Sequence, residues 1–356
     1  MHEHRPTICI LGSYGEGNVG DEAILNGILL NVHREHPDAH IVVFSHAPSE
    51  TTKFHEGVTS YPMLAAGVRS FLVQTLTGTL RQSLYALKAA DDIIIGGGGI
   101  FYDHAFHTGG KNPIKVWHIR CNTIRRLGKR YRIYGVGVSS LEKETSRQWM
   151  MDITENASSI AVRDETSRDN LKKIGVTKLI TIVDDPALHL KAPKHTPSKS
   201  TPVIGMCVRQ WYLDDPEKQT QLLKKLSDIA SSLVHSLNAK VRFIPFSIGK
   251  DDDRVLMKEI VAGTEGTKSS ITLSDSPHTV QLRLEEISNV DLLIGMRLHS
   301  IIFAHLTGTP WIALGYAKKV HDLAVKLGGE SRYIDIEELS VDKIVSLANA
   351  LLHYQE

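Results

Sequence analysis

The chain has 356 residues, of which 42% are hydrophobic, and its charged side chains nearly cancel at a formal +1. That length allows two domains with sizeable cores, and the charge balance argues against nucleic acid or an anionic membrane as an obligatory partner. Three scattered cysteines, Cys9, Cys121 and Cys207, contain no CxxC pair and read as reduced residues rather than a redox or zinc motif.

In chain order, short β-branched runs alternate with helical patterns. Thr7–Leu11 reads as a strand, followed by a glycine-rich turn. Ile24, Leu25, Ile28, Leu29 and Val32 then recur at helical spacing. Strands are expected at 40–45, at 92–95 before four glycines, at 131–138, at 159–162 and at 179–183. Strands apolar on both faces and separated by helices indicate parallel sheets covered on both sides. Residues 191–202, KAPKHTPSKSTP, hold three prolines and three lysines and read as a linker. The alternation restarts at 203–208 with a strand and at 219–237 with a helix. VRFIPF, ITL, VDLLI and WIAL supply further strands, and an amphipathic helix fills roughly 336–353. The expected organisation is an α/β chain of two Rossmann-like domains facing across a cleft. The first covers 1–190, the linker 191–202 and the second 203–335. A C-terminal segment, 336–356, is free to pack on either domain, including back on the N-terminal one. The N-terminus lacks the zones of a signal peptide, and no apolar run reaches membrane-spanning length. Both points fit a cytoplasmic protein, with peripheral work beside a membrane left open.

Open parallel sheets bind ligands at the carboxyl ends of their strands, so the chemistry is sought at those exits. The first, GSYGEGNVGDEAIL, offers Gly15, Gly17 and Asn18 as backbone contacts and Asp21 in the opening turn of a helix. Its glycine spacing is not GxGxxG, and it lacks a P-loop lysine. The second, IIIGGGGIFYDH, presents Gly97 and Gly98 as a floor for a ligand, and Asp103 as a partner for a sugar hydroxyl. His104 and His107 in the same loop are weak metal candidates. The third, AVRDETS, ends in Arg163, suited to a carboxylate or phosphate, or to a salt bridge with Asp164 or Glu165. The fourth carries Asp184 and Asp185 before a proline, most simply a turn. Late in the chain the exits become basic. GMRLHS supplies Arg297 and His299, and LGYAKK supplies Tyr316, Lys318 and Lys319, each at a helix start. Helix N-termini and cations together make an anion site.

Taken in order, GSYGEGNVGDEAIL, IIGGGGIFYD, VRDETSRDNLKKIGV, VDDPALHL, GMRLHSIIFAHLTGTPWIAL and GYAKKVHDLAVKLG resemble the polysaccharide pyruvyl transferase family over nearly the whole chain. The resemblance implies a GT-B-like fold. It implies transfer of pyruvate from phosphoenolpyruvate onto a sugar of a cell-envelope or extracellular polysaccharide, or its lipid-linked precursor, as a ketal with release of phosphate. It also implies that Arg163, His299 and Lys319 handle phosphoenolpyruvate, with the donor on the second domain and the acceptor on the first. The family's tyrosine, aspartate, proline, lysine stretch is here Tyr316, Ala317, Lys318, Lys319, which leaves open whether Lys318 or Lys319 serves. Chemistry fits His299 as general acid, because imidazole both holds and releases a proton near neutral pH. Asp21 or Asp103 would receive the hydroxyl proton. No step calls for a metal or an organic cofactor. Two competing expectations remain: a GT-B glycosyltransferase using a nucleotide-sugar, and a non-catalytic sugar-binding member of the family.

Overall fold

A computed structural model describes residues 5–103, 112–198, 200–264 and 269–353. The chain divides into two compact units: Met1–Glu16 with Asp21–His189, and Gly17–Gly20 with Leu190–Glu356.

The elements of the first part of the chain are β1 (Thr7–Leu11), α1 (Val19–Glu35), β2 (His40–Ser45), α2 (Pro48–Phe54), β3 (Val58–Pro62), α3 (Val68–Leu76), α4 (Thr79–Ala89) and β4 (Asp92–Phe101). They continue with α5 (Pro113–Arg126), β5 (Tyr131–Val138), α6 (Glu144–Asn156), β6 (Ala157–Val162), α7 (Glu165–Lys173) and β7 (Ile180–Ile182). The seven strands form one sheet in the order β3-β2-β1-β4-β5-β6-β7, and every pairing is parallel. Chain order reverses between β1 and β4, the place where such sheets receive ligands. Ile8, Ile10, Ile93, Ile94 and Ile95 are buried, as expected of central strands covered on both faces.

The four glycines after residue 95 do not leave the sheet. β4 runs through them to Phe101, with a register shift against β5 between Gly98 and Phe101. Gly97 and Gly98 adopt φ of +78° and +77°. A side chain at Gly97 would collide with Ile24, and one at Gly98 would come within 2.8 Å of Asp21 Oδ1. Glycine therefore lets the strand bulge where helix α1 crosses it, a use that reads in sequence like a strand end.

The second unit contains β8 (Val203–Cys207), α8 (Pro216–Leu237), β9 (Lys240–Phe243), α9 (Asp253–Gly263), β10 (Ile271–Leu273), α10 (Val280–Ser288), β11 (Leu292–Gly295), α11 (Leu298–Thr307), β12 (Trp311–Gly315), α12 (Lys318–Lys326), β13 (Tyr333–Asp335) and α13 (Val341–His353). Its six parallel strands run β10-β9-β8-β11-β12-β13, so the switch falls between β8 and β11. The C-terminal helix α13 packs on α8, and its Ile344 and Ala348 join this unit's core. Among the described residues no helix is long and apolar enough to cross a membrane.

Candidate functional site

At the switch of the first sheet, the β1 exit is folded back by its own acids. Glu22 Oε1 accepts from the Gly15 amide at 2.8 Å, and Oε2 lies 2.9 Å from His55 Nε2. Gly15, at φ +76°, lies against Ser45 and Ala47, leaving no room for a side chain. The Tyr14 hydroxyl donates to the Gly96 carbonyl at 2.7 Å. Burial first, then the charges of Asp21 and Glu22, push that phenol well above its ordinary range, so it stays a neutral donor. Asp21 is half-buried beside Gly98, next to Gly99, the one exposed residue in the middle of β4. Gly15, Gly97 and Gly98 thus serve close packing, against Ser45 and Ala47, Ile24, and Asp21 respectively.

Asp103 is buried, and its Oδ2 accepts from the Lys143 amide at 2.8 Å, at the start of α6. His104 and His107 lie outside the described residues. Arg163 stretches over Gly137, with Nη1 3.2 Å from Asp185 Oδ2 and Nε 3.4 Å from Asp164 Oδ2. Asp185 also accepts from the Ala187 amide, the turn expected of an acid before a proline segment. Arg163 is therefore buried with two carboxylates against it. Its guanidinium bridges the exits of β6 and β7.

Gly17, Asn18 and Gly20 are held within the second unit. The Val19 amide donates to the Phe246 carbonyl, and the Ile248 amide to the Gly17 carbonyl, each at 2.9 Å. Asn18 Oδ1 accepts from the Gly20 amide, and His278 Nε2 donates to the Gly17 carbonyl at 3.0 Å. Burial, aided by Arg283, lowers the His278 imidazole to about 4. The sign follows from linkage. The unfolded chain binds this proton near the ordinary histidine value of about 6.5, so the neutral ring stabilises the fold above that pH. The contribution is lost as pH falls from there toward 4. Between pH 7 and pH 5 the native protein should lose roughly 2 kcal/mol more than His278→Gln, measured by denaturant unfolding at each pH. Equal losses would contradict it.

At the switch of the second sheet, three neighbouring strands, β8, β11 and β12, end in basic or aromatic groups. Arg209 and Trp211 follow β8, Arg297 and His299 follow β11, and Tyr316 and Lys319 follow β12. Arg297 is buried. Its Nη2 lies 2.8 Å from Asp251 Oδ2, and its Nε donates to Asp253 at 3.1 and 3.2 Å. Burial opposes the charge on Arg297, but Asp253 and Asp251 outweigh it and hold the guanidinium above the ordinary arginine value. Arg209 Nη2 shares Asp251 at 2.8 Å. The rings of Trp211 and Tyr316 stand 4.3 Å apart between centroids, and Arg209 lies 5.8 and 5.6 Å from them.

The two lysines have different surroundings. Lys318 is exposed and pairs with Asp322 one turn on, at 2.7 Å. Lys319 is half-buried, with Nζ 5.6 Å from the Tyr316 ring, and among the described residues it makes no ion pair. Burial alone would raise the Tyr316 phenol. Lys319, Arg209 and Arg297 together bring it below its ordinary value, which reports a positive local field. His299 sits in the first turn of α11, half-buried, its ring against Gly20, where a side chain would collide with it. Neither α11 nor α12 has a side-chain cap at its start. The Ser300 and Val320 amides donate to the Arg297 and Ala317 carbonyls, and the positive end of each helix points to the strand exits, where an anion is favoured.

Arg209 and Trp211 are functional candidates that the sequence reading passed over. The signal was present: VRQWY follows strand VIGMC as VRDE follows SSIA. The cysteines carry no chemistry here. All three are buried, and burial pushes the Cys9 and Cys121 thiols up to about 12.

A family profile described as polysaccharide pyruvyl transferase matches residues 18–318. The chain is 24% identical to the amylovoran biosynthesis protein AmsJ of Erwinia amylovora, over 98% of this chain and 93% of that protein. Among solved structures it is similar to a putative UDP-N-acetylglucosamine 2-epimerase from Listeria monocytogenes, with TM-score 0.63 and 12% identity, covering 99% of this chain and 89% of the other. It is also similar to the Escherichia coli ADP-heptose lps heptosyltransferase II, with TM-score 0.50 and 14% identity, over 98% and 99% of the two chains. These likenesses show the GT-B-like α/β fold that the sequence led us to expect.

Proposed function

We propose, because the chain belongs to the polysaccharide pyruvyl transferase family, that it transfers pyruvate from phosphoenolpyruvate to two hydroxyls of a polysaccharide sugar or its lipid-linked precursor. The observation that carries this reading is the positive field at Tyr316, one strand over from the helix start that bears His299. A small donor with a carboxylate and a phosphate suits such a field. Lys319 is the cation we assign to it, because Lys318 is engaged with Asp322 on the surface. His299 delivers a proton to the methylene carbon, leaving positive character on the adjacent carbon. One sugar hydroxyl attacks that carbon, and a second displaces phosphate to close the ketal. One hydroxyl proton replaces the one given to carbon, and the other leaves with phosphate. Arg297 is assigned to holding the loop at 251–253 rather than to the donor. For the acceptor we assign the switch point of the first unit's sheet, where Gly99 is exposed and Asp21 accepts a sugar hydroxyl.

The test is incubation of the protein with phosphoenolpyruvate and an acceptor glycan, following inorganic phosphate and acid-labile pyruvate on the glycan. Both should rise together. Phosphate without pyruvylated glycan, or neither, would count against the reading. Within that assay Lys319→Met should raise the apparent KM for phosphoenolpyruvate by about ten-fold or more, the cost of losing a charge-assisted bond. Lys318→Met should change it less than about two-fold, as for an exposed ion pair. The reverse ranking would refute the assignment.

A further inference from the structure

We propose that the paired helices α3 and α4 dock the protein on an anionic lipid surface. A helix on the outside of a soluble protein turns its apolar stripe inward. Helix α3 does the opposite. Its buried residue is Gln74, whose Nε2 donates to the Met63 carbonyl at 2.7 Å. Val68, Phe71, Leu72, Val73 and Leu76 all face outward, with Val68 79% and Leu76 86% exposed. Val68, Leu72 and Leu76 recur every fourth residue with Phe71 beside them, so they form one stripe along the helix. On the adjoining α4, Tyr85 is 75% exposed, which adds an amphipathic ring of the kind that sits at a lipid headgroup level.

The charges identify the occupant. Residues 57–90 contain Arg69, Arg81 and Lys88 and no aspartate or glutamate, whereas a stretch of that length at the chain's average would carry about four. All three cations are exposed, and among the described residues none pairs with an acid. Exposed leucines and an aromatic, on two helices whose charged residues are all cations, match an interface whose interior is apolar and whose surface is negative. A symmetric dimer through the same face would set these cations against their own copies, which disfavours a second molecule as the partner. The inference is independent of the transfer reaction: it concerns where the protein works, not what it does to a donor.

The experiment is co-sedimentation of the full chain with vesicles of phosphatidylcholine alone and with phosphatidylglycerol added. The protein should partition onto the anionic vesicles, about ten-fold or more better than onto neutral ones, and less so as salt rises. Leu72→Ser with Leu76→Ser should weaken partitioning by about ten-fold or more. Arg69→Gln, Arg81→Gln and Lys88→Gln together should do the same. Every substituted side chain is exposed, so thermal unfolding of both variants should match the parent. Absence of partitioning, or variants that partition like the parent, would overturn the proposal. So would a concentration-dependent dimer that the two serine substitutions abolish. The assay uses no turnover, so failure here leaves the proposed reaction standing.

Discussion

His299→Ala should lower phosphate release from phosphoenolpyruvate by a factor of about 10² to 10⁴, the range that loss of a general acid produces. The fold should survive. The ring is half-buried and lies over Gly20 rather than inside a hydrophobic cluster, so its removal leaves a small gap at an edge. His299→Gln is the sharper variant. It keeps a hydrogen-bond donor of similar size but cannot supply a proton at neutral pH, so it should be nearly as inactive as alanine while binding phosphoenolpyruvate with affinity near that of the parent. Turnover within a few-fold of the parent in either variant would remove His299 from the proton transfer and leave it a packing residue.

Asp253→Ala should destabilise the second unit by about 3–5 kcal/mol, the cost of stripping a buried guanidinium of its partner. Asp253 is buried and does three things at once. Its carboxylate receives the amides of Phe246 and Ser247, at 2.9 and 3.0 Å, and the Nε of Arg297. Burial raises its carboxyl above the usual range despite the pull of Arg297, a sign of how little water reaches the pair. For a unit of this size the loss corresponds to a drop in Tm on the order of 10 °C. Asp253→Leu combined with Arg297→Met should recover only the ion-pair share of it, since an apolar pair can replace a buried ion pair at little net cost while the Phe246 and Ser247 amides stay without their acceptor. The combined variant also separates two roles for Arg297. If it only holds the 251–253 loop, phosphate release should persist at near the parent rate. Collapse of activity in a well-folded double variant would instead place Arg297 on the donor.

Much of this architecture was legible in the chain because central parallel strands are apolar on both faces. ICIL, IVVF, DIII and DLLI have few alternatives. Two of the four edge strands were not, although β7 and β10 at the opposite edges were. VTSYP and YID are β3 and β13, where three to five residues with mixed polarity carry no period to read. The glycines at 96–99 were taken for a strand exit, since glycine marks turns, bulges and close approaches alike. Only the side chains of Ile24 and Asp21 distinguish these uses, and they lie some 70 positions earlier. The glycine-rich segment 17–20 resisted sequence reading for the same reason: the ring that donates to Gly17 is 261 positions away. At the site, the residue types were legible and their pairings were not. Arg297 and Lys319 read alike as basic groups at strand ends. The acids at 251 and 253 and at 322 decide that Arg297 and Lys318 are compensated, while among the described residues Lys319 makes no ion pair.

The proposed grip of the second sheet's basic end on a small doubly negative donor can be tested directly. The most direct measurement is a crystal structure of the protein with phosphoenolpyruvate bound. Donor oxygens should lie within hydrogen-bond reach of Lys319 and of the opening turn of α11, with the His299 ring facing the methylene carbon. A donor located elsewhere would contradict it, as would a nucleotide diphosphate that occupies the same strand ends while phosphoenolpyruvate fails to bind.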